Sequence, residues 1–539
     1  MRDLVRAVAV ALLVALAVAV GLAANVTHEH GYWAAGYYRL VGAVVRARFD
    51  MLAPFAGVAA LLWAALARWR RRRRGGSAER PVRVAVVVLA CVAAFRVGTA
   101  LEARHAVRGP NLLLVSIDTL RADRLGAYGC PLPTSPNIDA RLAAEGVTFT
   151  DVYSQSPKTT PSHMTLFTSL YPSVHGVELW ENEQSGHVLN GTVHTLAEVL
   201  KNAGYATAAF TGGAQMDPSR GFDAGFDLYR EHGQRHRAVK WLGQHRHEPF
   251  FVFYHTYDVH DPYLPPDEYI RLFAPDYRGR VLDTVHRLRA EGSTSESAWE
   301  GLSARFWASV DKTDPRDVAF VARLYDAGIR YMDDVTIRAL LDRLDELHLA
   351  RDTLVVFTSD HGEAFGEHGR FQHGDLYRET VHVPLVLRLP GRLPAKRRIE
   401  SRVRLLDVMP TILALLDVPA PPGVQGESLV PLIDGTPATA DVAVSEYSVP
   451  GHELLSVRRG ALSYVLDGDD ERLFDLSTDA AERENVLGTR PADAAALRDL
   501  LAAWRVQCRD LAAVFGPRDG RVAPNAETAR RLRALGYVE

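Results

Sequence analysis

The stretch NLLLVSI at residues 111–117 is a continuous apolar run that ends directly before Asp118. Similar runs recur along the chain, at residues 206–210 (ATAAF), 250–255 (FFVFYH), 353–358 (TLVVFT) and 383–389 (VPLVLRL). Segments with the apolar spacing of helices lie between or after them, at residues 136–144, 318–349 and 408–416. Apolar strands that alternate with helices predict an α/β fold whose central, mostly parallel sheet is covered on both faces.

Polar side chains follow several of these runs at the point where the predicted strand ends. They are Asp118, Asp258, Asp360 and His361. In open parallel sheets, ligands bind beyond the carboxyl ends of the strands. Four groups that can bind a metal are therefore expected at one edge of the sheet, although an Asp after a strand is also a common helix cap.

The segment KTTPSHMTLFTS at residues 158–169 has the features of a helix start. Pro161 suits the first helical turn, where its missing N–H costs nothing. Thr159 is then expected just before the helix, where free N–H groups and the helix dipole favour an anion. A hydroxyl there, close to a cation, can act as a nucleophile. The alternative is that Thr159 only caps the helix.

Composition limits the classes of protein that fit. The chain has 539 residues, 47% of them hydrophobic and 24% charged, and a formal net charge of −3, so no global field attracts nucleic acid. The three cysteines are Cys91, Cys130 and Cys508, and they form no CxxC motif. This pattern excludes a disulfide scaffold and a cysteine-rich zinc site, and leaves one candidate bridge, Cys130 to Cys508.

The N-terminal hundred residues have a different pattern. Apolar runs at 7–24, 51–67 and 84–95 are long enough, or nearly so, to cross a bilayer, and five arginines at 70–74 lie between the second and third. Arginine-rich short loops stay in the cytoplasm. Three crossings would place everything after residue 105 outside the cytoplasm, at the cell membrane. The alternative for the first run is a cleaved signal peptide.

Several motifs in the soluble region, in the same order along the chain, resemble those of the sulfatase family in the alkaline phosphatase superfamily. The stretches are 111–129 (NLLLVSIDTLRADRLGAYG), 159–176 (TTPSHMTLFTSLYPSVHG), 257–263 (YDVHDPY), 358–369 (TSDHGEAFGEHG), 405–432, 473–476 (LFDL) and 535–537 (LGY). The resemblance implies an alkaline-phosphatase-like sandwich. The expected organisation is a membrane anchor at 1–105, a catalytic domain at 106–420 and a small α+β subdomain at 421–539.

The resemblance also implies roles for particular side chains. Asp118, Asp360 and His361 would bind one divalent ion, which could be Ca²⁺, Mg²⁺, Mn²⁺ or Zn²⁺. Thr159 would be both the nucleophile and a contact of that metal.

Four other side chains would act on the group that is transferred. His260 and His373 would hold its oxygens, and a second metal ion is expected if these two histidines are ligands instead. Lys158 and His163 would add positive charge, or else be a solvated lysine and a helix-surface histidine.

The sequence departs from the family pattern at four positions. Sulfatases carry Cys or Ser, oxidised to an aldehyde, where this chain has Thr159, and oxidation of threonine would give a ketone. His163 replaces the usual Arg, Thr119 stands where many members have a second metal-binding Asp, and His373 stands where many have Lys. These changes favour the phosphoryl-transferring relatives, which use an unmodified Thr.

Three functions follow from this pattern. The first is a metal-dependent hydrolase that cleaves sulfate or phosphate esters of a small molecule, glycan or lipid. The second is a membrane-bound transferase that adds a phosphoethanolamine or glycerophosphate group to envelope lipid or glycan. The third is a non-catalytic binding module on an enzyme fold. A charged, weakly periodic insertion at 271–315 is expected to shape the pocket mouth or to be mobile.

Overall fold

The computed structural model describes most of the chain beyond the N-terminal region. The described ranges are 109–177, 186–231, 235–292, 301–437, 441–449, 451–516 and 520–534. The three apolar N-terminal runs and the 535–537 motif lie outside these ranges. Within them, no helix is long and apolar enough to cross a membrane.

Strands are distributed along the whole described region. In chain order they are β1 (Asn111–Ile117), β2 (Val147–Phe149), β3 (Val152–Tyr153), β4 (Gly186–His187), β5 (Ala206–Phe210), β6 (Leu228–Arg230), β7 (Phe250–Thr256), β8 (Thr353–Thr358), β9 (Ala364–Phe365), β10 (Phe371–Gln372), β11 (Leu385–Arg388), β12 (Arg397–Ile399), β13 (Val403–Arg404), β14 (Val442–Val449), β15 (His452–Arg459), β16 (Leu462–Asp467), β17 (Asp470–Asp475) and β18 (Arg521–Val522).

The central sheet has eight strands in the order β12-β2-β11-β8-β1-β7-β5-β6. Strands β8, β1, β7 and β5 are consecutive and parallel, so their carboxyl ends share one edge. The prediction of a mixed α/β fold with a mostly parallel sheet is confirmed. Strand β11 is the exception, because it runs antiparallel to both of its neighbours.

Helices flank the sheet. They are α1 (Thr159–Thr168), α2 (Pro172–His175), α3 (Leu196–Asn202), α4 (Arg235–Gln244), α5 (Asp267–Phe273), α6 (Arg280–Gly292), α7 (Leu302–Trp307), α8 (Pro315–Met332), α9 (Arg338–Glu346), α10 (Arg378–Val381), α11 (Val408–Leu415), α12 (Val430–Ile433), α13 (Pro491–Phe515) and α14 (Ala526–Ala534).

The insertion at 271–315 has more regular structure than its weak periodicity predicted. It contains α6 and α7, and a 13-residue helix is long for a segment expected to lack periodicity. Val281, Val285 and Leu288 of α6 are fully or almost fully buried. Their i, i+4, i+7 spacing is a helical stripe that the many charged neighbours concealed.

The central strands are buried on both faces. Leu112 and Leu114 of β1 belong to one apolar cluster, whereas Leu113, Val115 and Ile117 belong to the cluster on the opposite face. Alternate residues of a strand point to opposite faces, so a continuous apolar run is needed where both faces are covered. Each such side chain contributes roughly 1.5–3 kcal/mol by leaving water, which fixes the position of the strand ends.

The C-terminal part adds a second sheet. Strands β14 to β17 form an antiparallel meander in chain order, which includes the predicted hairpin around residues 473–476. The proposed boundary between 106–420 and 421–539 stays a prediction. Cys130 and Cys508 are both free thiols, so the candidate bridge between them was wrong.

Candidate metal and nucleophile site

The carboxyl ends of β1 and β8 bring three of the predicted ligands together. Asp118 directly follows β1, and Asp360 and His361 follow β8. One ligand atom from each lies within 4.8 Å of the other two, and all three side chains are fully buried. The fourth group expected at this edge, Asp258, is not part of the cluster, because its carboxylate accepts a hydrogen bond from Thr336 in the helical layer.

Backbone N–H groups hold the Asp360 carboxylate. Its Oδ1 accepts hydrogen bonds from the N–H of Thr119 (3.2 Å) and of His361 (2.9 Å). Thr119 reaches this position with a φ of 58°, and its own hydroxyl donates to the carbonyl of Asp118. Thr119 therefore supports Asp360 through its backbone, while its hydroxyl is occupied by that carbonyl.

The tautomer of His361 follows from its contacts. Nδ1 lies 3.0 Å from the carbonyl oxygen of Gly362, so it carries the proton and donates. Nε2 is then unprotonated, and it faces Oδ2 of Asp360 at 3.4 Å and Oδ1 of Asp118 at 3.9 Å. An imidazole in this state is a metal ligand without further change.

Two carboxylate oxygens of the cluster are orphaned. Among the described residues, Oδ1 of Asp118 and Oδ2 of Asp360 have no hydrogen-bond partner. Burial raises the pKa of Asp118 to about 6, and burial with the nearby Asp118 charge raises the pKa of Asp360 to about 8. A divalent cation would supply the missing partner and allow both groups to ionise, so the residues fit a metal.

Thr159 begins helix α1 instead of preceding it. Lys158 has the extended backbone of an N-cap residue, so the expectation that Thr159 lies before the helix was wrong by one position. The Thr159 hydroxyl lies 3.4 Å from Nε2 of His361 and within hydrogen-bonding reach of Asp118. The hydroxyl therefore lies at both the metal cluster and a helix N-terminus, where negative charge on its oxygen is stabilised.

His260 and His373 lie on the same side of the cluster. Their rings are 5.3 Å apart, and the ring of His373 is 4.4 Å from that of His361. Nδ1 of His260 donates to the carbonyl of Asp261, and Nδ1 of His373 lies 3.0 Å from Glu363. In the described part of the chain, the two histidines do not form a second group of three metal ligands.

Lys158 and His163 contact backbone carbonyls close to the candidate ligands. Nζ of Lys158 donates to the carbonyl of His373 at 3.0 Å, and burial lowers the pKa of this amine to about 8. His163 donates from Nδ1 to the carbonyl of Thr159 and accepts at Nε2 from Ser116. Burial lowers the pKa of His163 to about 4. Both contacts position the start of α1 and the His373 segment.

Three side chains that support the site were not expected from the sequence. His255 of β7 contacts Asp118 at 3.1 Å, Glu363 contacts His373, and Asp261 contacts His260. His255 could have been found by strand alternation, since it follows Phe251 and Phe253 on the face toward α1. Glu363 and Asp261 carry no such signal, because their loops have no period.

Comparison with known proteins gives one family. The family model "Sulfatase" matches residues 110–418, more than half of the chain, and the model "N-sulphoglucosamine sulphohydrolase, C-terminal" matches residues 366–505. A curated relative, the N-acetylglucosamine-6-O-sulfatase of Bacteroides thetaiotaomicron, is 24% identical over 71% of this chain and 84% of its own length.

Two solved structures show the same fold. One, determined in complex with its substrate D-glucosamine-2-N,6-O-disulfate, has a TM-score of 0.61 at 20% identity and covers 75% of this chain and 99% of that one. The other, a phosphonate monoester hydrolase of Agrobacterium radiobacter, has a TM-score of 0.59 at 21% identity and covers 77% and 100%. At these identities the likeness is one of fold.

Proposed function

This chain belongs to the sulfatase family of sulfate-ester hydrolases, and from this premise we propose that it cleaves sulfate or phosphate esters with Thr159 as the nucleophile. The observation that carries the proposal is the position of the Thr159 hydroxyl, at the first residue of α1 and 3.4 Å from Nε2 of His361. From this position, the Thr159 oxygen would attack the sulfur or phosphorus atom of an ester bound at the cluster.

The chemistry divides between the metal and the protein. A divalent ion held by Asp118, Asp360 and His361 would lower the pKa of the Thr159 hydroxyl and neutralise the charge of the bound ester group. The Thr159 oxygen forms a bond to sulfur or phosphorus while the bond from that atom to the leaving oxygen breaks, and the hydroxyl proton ends on the leaving oxygen, which departs as the alcohol. Water then attacks the same atom and releases Thr159 with its proton restored.

His260 and His373 would hold the oxygens of the transferred group. Their Nδ1 atoms are fixed by Asp261 and Glu363, which orients each ring toward the cluster. An Nε2–H on either ring would donate a hydrogen bond to an oxygen of the bound group. Charge that builds up on the transferred group is stabilised in this way without movement of the protein.

The route by which the transferred group leaves the protein depends on the chemical form of the nucleophile. An oxidised Cys or Ser forms an aldehyde hydrate that expels sulfate by collapse, whereas Thr159 keeps a plain alcohol. Release then requires attack of water on the covalent intermediate, which phosphorus permits readily. Phosphate monoesters, phosphodiesters and phosphonate esters therefore belong beside sugar sulfates in the substrate panel.

The ion is proposed as Ca²⁺, Mg²⁺, Mn²⁺ or Zn²⁺, with a second ion if His260 and His373 also bind metal. Two carboxylates and a hydroxyl suit hard cations, and the imidazole of His361 suits Mn²⁺ and Zn²⁺. Metal analysis of the purified protein decides among them.

The test combines activity with intact mass. Full-length protein loaded with each ion should hydrolyse at least one ester of the panel, and the Thr159→Ala variant should lose about 10³-fold or more in kcat/KM. Thr159→Ser is the matched control, since it keeps a hydroxyl. An unmodified Thr159 mass with a transient adduct supports the proposal. Unchanged rates in Thr159→Ala would overturn it, and metal binding without any turnover would support the non-catalytic module.

Transfer to an alcohol is the second candidate. This candidate is favoured by a plain threonine nucleophile in a chain that also has apolar N-terminal runs. The acceptor would then be envelope lipid or glycan near a membrane. Mass spectrometry of envelope lipids from a deletion strain tests this. A lipid profile identical to that of the parent strain, with hydrolysis of the same esters in vitro, would leave hydrolysis as the function.

We also propose that the chain is held at the cell membrane with residues after 105 outside the cytoplasm. The three apolar runs and the five arginines at 70–74 support this orientation. Reporters fused after residue 105 should be active outside the cytoplasm. Activity confined to the cytoplasm would refute the orientation.

A further inference from the structure

Helix α14, at the C-terminal end of the described chain, is connected to the metal cluster by hydrogen bonds. Nη1 of Arg531 donates to the carbonyl of Gly212 at 2.9 Å. The N–H of the same Gly212 donates to Nδ1 of His255 at 3.2 Å. His255 in turn lies 3.1 Å from Oδ2 of Asp118. Four residues that are far apart in sequence therefore form one continuous path.

The direction of each bond in the path is fixed. A backbone N–H can only donate, so Nδ1 of His255 is an acceptor and the imidazole proton is on Nε2. Nε2 then donates to Oδ2 of Asp118, which leaves Oδ1 as the oxygen that faces Asp360 and His361. The tautomer of His255 thus selects which oxygen of Asp118 is presented to a metal.

The loop at 212–217, which follows β5, makes close contacts on two sides. A Cβ at Gly212 would lie 2.3 Å from the ring of Tyr257, so a larger residue does not fit there. On the other side, the hydroxyl of Thr160, the neighbour of the nucleophile, directs its one proton to Gln215, whose carbonyl oxygen and Oε1 lie 2.7 and 2.8 Å away. The loop therefore touches supports of both Asp118 and Thr159.

Helix α14 packs on this loop through an apolar contact and a side-chain hydrogen bond. Leu532 is fully buried against Ala214, and the hydroxyl of Thr528 donates to Asp217 at 2.5 Å. Arg531 adds the bond to Gly212, whereas the adjacent Arg530 is exposed and contacts only its own helix among the described residues. The two arginines thus form a natural pair of test and control positions.

We propose that α14 and His255 preset the metal site, and that the Arg531–Gly212–His255–Asp118 path determines how tightly the ion is bound. Residues that hydrogen-bond to a metal ligand fix its orientation and basicity. His255 and Arg531 are positioning residues here, since neither contacts the reacting atoms. The inference rests on the metal site of the proposed function but not on Thr159 as nucleophile.

The experiment measures metal binding by the full chain without any ester. Chelator-treated protein is titrated with Mn²⁺ and with Zn²⁺ in competition with a chromophoric chelator. His255→Ala should weaken binding by about 10–100-fold, and His255→Gln, which keeps an N–H donor, should recover part of the loss. Arg531→Ala should weaken binding by about threefold to tenfold, while Arg530→Ala should match wild type.

Thermal unfolding of the metal-free variants separates positioning from folding. The path predicts lower metal affinity in variants whose metal-free melting temperatures stay close to those of their controls. Wild-type affinity in His255→Ala would overturn the path. Equal affinities in Arg531→Ala and Arg530→Ala would remove α14 from it. Protein that binds metal through this path but hydrolyses no ester would contradict the proposed function alone.

Discussion

Two of the regions that fully bury charged side chains differ in the partners of those charges. The candidate metal ligands place Asp118 beside Asp360, and one oxygen of each lacks a hydrogen-bond partner in the described residues. The pair of Arg458 and Glu482 joins opposite charges at 2.9 Å, and neither side chain is exposed. The first region buries net negative charge and the second buries none.

In the second region the two charges balance each other, although Nε of Arg458 has no hydrogen-bond partner among the described residues. Arg458 also donates to the carbonyl of Leu376 and to Ser456, and the other oxygen of Glu482 accepts the N–H of Arg378. These bonds fasten the C-terminal sheet to the segment that follows His373. A buried charge whose partners are all protein groups indicates a structural role, whereas an unmatched one indicates that a ligand completes it.

The largest effect is expected where the charges are unmatched. Asp360→Asn should lower metal affinity and kcat/KM by about 10³-fold, because one of the few ionic ligands is lost. The metal-free variant should nevertheless unfold with a free energy equal to wild type or higher by on the order of 1 kcal/mol, since two buried carboxylates no longer repel. Chelator titration and chemical denaturation measure the two quantities.

Asp352→Asn is the control for that variant, because Asp352 is exposed and lies just before β8. It should change neither metal affinity nor the free energy of unfolding. A metal-free Asp360→Asn protein that is several kcal/mol less stable than wild type would show that Asp360 serves the fold. The contrast between the two regions would then fail.

The matched pair should behave in the opposite way. Glu482→Gln leaves Arg458 buried without its counter-charge, so the free energy of unfolding should fall by about 3–4 kcal/mol. Glu482 also has a φ of 53°, a strained backbone that the ion pair and the Arg378 bond hold in place. The folded fraction should bind metal as wild type does. Glu484→Gln, on the surface two residues away, is the control, and equal stability of the two variants would contradict this reading.

The pH dependence of stability should also separate the regions. In metal-free protein the pKa values of Asp118 and Asp360 are raised from 3.8 to about 6 and about 8. Between those limits the folded state binds more protons than the unfolded state, so the free energy of unfolding falls as pH rises. The loss should be about 4 kcal/mol between pH 5 and pH 7, and smaller by more than half in Asp360→Asn, where only Asp118 still titrates.

Bound metal should reverse this trend, because it requires both carboxylates ionised. Denaturation at a series of pH values, with chelator and with saturating Mn²⁺, measures both curves. If the free energy of unfolding of the metal-free wild type does not change with pH, burial does not raise the pKa values of the two carboxylates.

The sequence predicted the elements whose pattern is dictated by burial on both faces. The bounds of β1, β5 and β8 match the apolar runs, because a strand covered on both faces has to be apolar throughout. The ends of these strands then placed Asp118, Asp360 and His361 correctly at one edge. Periodicity was least informative where charged residues surround a narrow stripe, as in α6.

The expectation that polar residues after strand ends line the site was wrong for Asp258, and it did not include His255. Both belong to the β7 region, but the chain turns after Thr256, and Asp258 then faces Thr336 in the helical layer. His255 points toward Asp118 because it is still within the strand and shares the face of Phe253. The direction of a side chain after a strand depends on loop dihedrals, which one sequence does not specify.

A smaller effect is expected at the insertion. Trp307 of α7 donates from Nε1 to Asp261 at 2.9 Å, and Asp261 contacts His260. Trp307→Phe removes one of several donors to that carboxylate, so kcat/KM should fall by about threefold to tenfold with metal affinity unchanged. Trp241→Phe is the matched control, because Trp241 lies in α4 and its ring stacks on that of His245. Equal rates in both variants would mean that the insertion does not position His260.

The smallest effect is expected at Asp258, the residue that strand-end reasoning assigned to the metal cluster. In Asp258→Asn the side-chain carbonyl can still accept the bond from Thr336, so the free energy of unfolding should change by less than about 1 kcal/mol. Metal affinity should equal that of wild type, in contrast to Asp118→Asn, which removes a ligand from the same edge. Chelator titration of the two variants side by side is decisive. If Asp258→Asn lowers metal affinity as much as Asp118→Asn does, the cluster extends to β7 and Asp258 is also a metal ligand. Metal ligands would then not be restricted to buried carboxylates with an oxygen that lacks a hydrogen-bond partner.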